Sequence, residues 1–149
     1  MSKSREISVT PTITAGAYSA ADAVGGLLTF VDAASVYKGD GTITKVVIID
    51  QAKQAAVLDL HLYDRTFTNV ADNAAYDPTD ADNLNCIGCI HIVAADYEQA
   101  ADNAVATVEC DFNFTLVAGG TSLFGQLSCV ATPTYAAVND ITVKITVNR

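Results

Sequence analysis

Apolar and polar residues alternate with a period of two in segment after segment of this chain, and a helical period never persists. Cys110, Phe112, Phe114 and Leu116 fall on one side of an extended run, with Asp111, Asn113 and Thr115 on the other. Ile141, Val143, Ile145 and Val147 repeat the pattern against Thr142, Lys144, Thr146 and Asn148. Side chains of an extended chain point alternately to opposite faces, so each run reads as a strand with one buried face. The pattern predicts an all-β protein and carries no chemistry of its own.

The first such run covers residues 7–13. Pro11 cannot donate to a ladder, which makes this segment an edge strand or an arm. Small residues follow, so residues 1–22 read as an N-terminal arm and linker or as an edge strand. Further strands are predicted over residues 24–31, 43–49, 57–63, 87–93, 105–117, 122–130 and 141–147. In residues 57–63, Leu58, Leu60 and Leu62 point inward and Asp59, His61 and Tyr63 outward. Lys38 to Gly41 makes a turn, and residues 66–85 form the longest irregular stretch, with Pro78, Thr79, Asp80 and Asp82 starting one helical turn. Residues 97–103 read as a loop or helical turn. About eight strands at this spacing predict a single domain over residues 1–149, built as a two-sheet sandwich or jelly roll.

A 149-residue chain that is half apolar can bury a core without disulfides or metal. Only 17% of it is charged, against about 25% in average proteins. Ala, Thr, Val and Asn take up the difference, and such residues suit flat surfaces that meet other protein. The net charge is −9, and no Lys or Arg occurs between Arg65 and Lys144, where ten carboxylates lie. Nucleic-acid binding needs Lys and Arg against phosphates, so that class is excluded, and anionic membranes are disfavoured on the same ground. The opening residues are polar and no apolar run reaches membrane-spanning length, so the chain is expected to be made in a reducing cytosol with its four cysteines as free thiols.

Cys86-Ile-Gly-Cys89 is the one metal- or redox-like motif. A redox pair needs a helix N-terminus to lower the thiol pKa, whereas a strand-like Ile-His-Ile-Val follows here. A structural zinc site would need a second close pair, and Cys110 and Cys129 stand alone on separate strands. The expectation is therefore no metal, no cofactor and cysteines that serve packing, Cys110 on the core face with Phe112 and Phe114. Cys89 shares a strand face with His91, but a hydrolase built on that pair lacks an assignable orienting carboxylate and oxyanion site. Asp80, Asp82 and Asn83 miss the Gly and Glu of a calcium loop and fit a helix cap. No phosphate loop or nucleophile elbow occurs, so no enzyme is expected.

The segment from Val9 to Phe30, VTPTITAGAYSAADAVGGLLTF, resembles the start of a group of small structural proteins of tailed bacteriophages. Ile43 to Asp50, Leu58 to Asp64, Leu123 to Leu127 and Thr132 to Tyr135 are similar to the same group, which extends the resemblance over most of the chain. The four cysteines depart from it. The resemblance implies a virion component made in the host cytoplasm, a capsid decoration (cement) protein on the capsid exterior. Its implied partners are the major capsid protein and further copies of itself, in a homotrimer. An N-terminal edge segment can add a strand to a neighbour, which makes Ile7, Val9, Pro11, Ile13 and Tyr18 the candidate capsid or subunit interface. The alternative is a ligand- or carbohydrate-binding sandwich of a phage tail or host protein, although the chain has no Trp and only 7% aromatic residues.

Overall fold

The computed structural model describes residues 3–149, and within them nearly all regular structure is β. Nine strands form two antiparallel sheets: β1 (Ser4–Val9), β2 (Ala23–Phe30), β3 (Asp40–Asp50), β4 (Leu58–Tyr63), β5 (Cys86–Ile92), β6 (Tyr97–Gln99), β7 (Ala104–Thr115), β8 (Leu123–Cys129) and β9 (Ile141–Asn148). One sheet runs β1-β9-β3-β7-β6 and the other β2-β8-β4-β5. The pairs β4·β5, β3·β7, β2·β8 and β1·β9 enclose one another in turn. That nesting is the topology of a jelly roll, with β6 added at one edge.

Alternation accounts for the core. Ile141, Val143, Ile145 and Val147 of β9 are fully buried, and the residues between them are half-exposed. They face Leu58, Leu60 and Leu62 of β4 and Leu123 and Leu127 of β8 in one continuous apolar cluster. The central strand β3 has a bulge between Ile43 and Lys45 against both of its neighbours. Cys110 sits at that bulge, partly buried on the core side, and its thiol donates to the Ile43 carbonyl at 3.4 Å.

β2 has a second bulge between Val24 and Leu28, where Gly25 takes a positive φ of 76°. Its ladder bonds are replaced by side chains. The Gly25 N–H donates to Asp72 at 2.7 Å, and the buried Gln126 amide donates to the Gly25 carbonyl at 2.9 Å. A backbone group removed from water needs such a partner. Gln126 also binds the Val70 N–H and carbonyl, at 3.0 and 2.7 Å. The long irregular stretch after β4 is thereby held down over the outer face of the four-stranded sheet.

Two sequence expectations change. Residues 97–103 are not simply a loop, because Tyr97–Gln99 pairs with β7 after a 3-10 turn at Ala94–Asp96. The buried Tyr97 side chain, donating its hydroxyl to the Ala56 carbonyl at 2.7 Å, fixes this short strand. Tyr63 lies on the outer face as expected but is fully buried, since Phe67 stacks on it at 3.7 Å. The helical turn α1 (Asp80–Asn83) is present, with the Thr79 side chain accepting from the Asp82 N–H as its cap.

Candidate functional site

The N-terminal residues proposed for an interface divide into a backbone edge and a set of buried side chains. Among the described residues β1 pairs only with β9, and its other edge has no strand partner. Ile7, Pro11, Ile13 and Tyr18 are buried within the chain's own core, and Val9 is half-exposed. Tyr18 donates its hydroxyl to Asp72 at 2.6 Å, accepts from the Thr14 N–H at 2.8 Å and meets Tyr135 edge to face. Burial, reinforced by Asp72, pushes the Tyr18 phenol up to about 12. Residues 10–22 therefore lie against the body, Val9 packs partly buried against the core, and the described residues leave the outer backbone edge of β1 unpaired.

The outer face of the five-stranded sheet is broad and mixes half-exposed apolar residues with threonines and charged side chains. Cross-strand pairing sets Ile49 against Val105 and Thr142, and Val47 against Thr107 and Lys144. Lys45 stands opposite Glu109, and Lys144 pairs with Glu6 at 3.5 Å. Toward one end of the sheet an open depression of about 620 Å³ is lined by polar residues, among them Thr42, Asp111, Asn113 and Arg149.

The outer face of the four-stranded sheet holds the chemically richer cluster. The β4–β5 ladder places His61 opposite Cys89 and Asp59 opposite His91. Donor atoms of Asp59, His61 and Cys89 lie within 4.8 Å of one another, the one such group found among the described residues. His91 Nδ1 is 2.6 Å from Asp59 Oδ1, and His61 Nε2 is 2.8 Å from Ser128 Oγ. Tyr76 stacks on the His61 ring at 4.1 Å, and its hydroxyl is hydrogen-bonded to that of Tyr63. Alternation along β5 joined Cys89 only to His91. The partner that completes the cluster, His61, comes from a strand 28 residues earlier, and only the register reveals it.

The thiol of this cluster is shifted away from nucleophilic activation. Burial, with the Asp59 charge beside it, pushes the Cys89 thiol up to about 12 and keeps it protonated at neutral pH. A cysteine nucleophile needs the opposite shift. Burial lowers the His61 imidazole and favours its neutral form. All four cysteines are free, with Cys129 buried and its thiol donating to the Ser19 carbonyl at 3.1 Å.

No protein-family model matches the chain, and no curated protein matches it.

Proposed function

We propose that the protein is a structural subunit of a tailed-phage virion, a decoration protein that binds the outer capsid surface and stabilises the shell. It works by binding and self-association, without turnover, and its partners are the major capsid protein and further copies of itself in a trimer. The observation that carries this reading is the outer face of the five-stranded sheet, where Val47, Ile49 and Val105 stand half-exposed beside Thr107 and Thr142, with Lys45, Glu109, Lys144 and Glu98 around them. Such a face offers apolar contact area at its centre and charges that a partner's surface can pair. The sequence resemblance to small phage structural proteins supports the kind of partner, and the free β1 edge supports contact with a neighbouring copy. The net charge of −9 suits a surface turned away from packaged DNA.

The polar depression around Asp111 and Asn113 favours a second reading, a ligand- or carbohydrate-binding module. Jelly rolls serve capsid and lectin domains alike, so the fold itself is neutral between the two. Co-sedimentation with purified shells lacking the protein separates them. Saturable binding to shells is expected. A clear hit on a glycan array, with no shell binding, overturns the decoration reading.

A further inference from the structure

We propose that Cys89, His61 and Asp59 form a binding site for a divalent transition metal of the zinc type, bridging β4 and β5 on the outer face of the four-stranded sheet. The sequence supplies two alternating pairs, Asp59-Leu-His61 and Cys89-Ile-His91. Alternation puts each pair on one face, and the antiparallel register sets them side by side. Tetrahedral zinc with bonds of about 2.0–2.3 Å holds its ligand atoms roughly 3.3–3.8 Å apart. The three donors already lie within 4.8 Å of one another, so small rotations of the side chains bring them to that spacing.

The donor set decides the class of metal. Thiolate and imidazole favour zinc and its borderline neighbours, whereas calcium and magnesium require oxygen ligands. The surrounding contacts orient the ligands as an outer shell does. With Nε2 turned to Ser128 Oγ, the His61 ring has Nδ1 left for a metal, and Tyr76 fixes the ring plane. His91 holds the Asp59 carboxylate. Binding displaces the Cys89 thiol proton to solvent, forming one metal–sulfur bond for each proton released. Among the described residues β5 pairs with β4 alone, so the metal would pin an edge strand to that neighbour.

The test is titration of the purified protein with cobalt(II), followed by zinc displacement. One equivalent of cobalt should give a thiolate-to-metal charge-transfer band that zinc abolishes, and zinc should raise the melting temperature until a chelator is added. Cys89→Ser and His61→Ala should lose the band while keeping the wild-type circular dichroism. His91→Ala should weaken zinc binding about ten- to a hundredfold, and Cys86→Ser should keep the band. Should Cys89→Ser fail to fold, zinc must still slow alkylation of Cys89 in the wild-type protein, as mapped by mass spectrometry. A folded wild type with no thiolate band, a band that survives Cys89→Ser, or alkylation of Cys89 that zinc does not slow overturns the proposal.

Discussion

Asp72 offers the sharpest test of how the N-terminal segment is held. Its carboxylate accepts from the Tyr18 hydroxyl at 2.6 Å, the Thr14 hydroxyl at 2.6 Å and the Gly25 N–H at 2.7 Å. One side chain thus ties together residues 14–18, the β2 bulge and the stretch that covers the sheet. Hydrogen bonds to a charged group are worth about 1.5–3 kcal/mol each, so three lost together cost at least roughly 4.5 kcal/mol at full burial. Asp72 is half-exposed, and water can replace part of what the hydroxyls lose, which brings the expected cost of Asp72→Ala to about 3 kcal/mol. For a chain of this length that is a drop in melting temperature of about 6–12 °C. Asp72→Asn keeps one acceptor oxygen, enough for Tyr18 and Gly25, and should cost about 1 kcal/mol. Urea unfolding followed by circular dichroism measures both, read as a shift in midpoint at unchanged slope. Asp72→Ala within about 0.5 kcal/mol of wild type, the range of an ordinary surface change, would refute the reasoning and show residues 10–22 to be loosely attached.

Two further perturbations probe the core and its buried charge. Gly125→Ala should destabilise by about 2–3 kcal/mol, because the added Cβ would lie 2.7 Å from the backbone oxygen of His61 on the neighbouring strand; an unchanged urea midpoint contradicts this. Burial raises the pKa of Asp50, with the nearby Asp140 charge adding to it, even though the Ala52 and Ala55 N–H groups donate to its carboxylate. A raised carboxyl favours folding fully below its unfolded value of 3.8 and loses that contribution as pH climbs through the folded value. Tyr97, Tyr135 and Asp140 also face this site but are present in both proteins compared. The stability of wild type relative to Asp50→Asn should therefore fall as pH rises from about 3.5 toward neutrality, and a difference that grows with pH contradicts the assignment.

Strands that keep one face in the core were legible because alternation encodes them directly. β9 and the second half of β7, from Cys110 to Phe114, are the clearest, with apolar inward residues and polar outward ones. β6 was not legible, since three residues cannot display a period and its place depends on the buried Tyr97. The choice between sandwich and jelly roll also lay outside the sequence pattern, because it depends on pairing between strands as far apart as β1 and β9. The same limit hid the metal-like cluster. Asp59, His61, Cys89 and His91 could each be placed on a strand face, but 22 positions separate β4 from β5 and nothing in their pattern says that the two strands are neighbours. Tyr63 shows the converse, a residue placed on the right face whose burial comes from Phe67 in a loop.

The central claim is that the protein works by assembling on a virus shell, and one measurement addresses it most directly. Particles purified from cultures carrying the gene are analysed by quantitative mass spectrometry, alongside the solution mass of the isolated protein. The account predicts a copy number commensurate with the capsomers and a symmetric oligomer in solution, whose repeated modest contacts sum to a tight hold. A monomer absent from the particles contradicts it, and a few copies per particle move the protein from the shell to the tail.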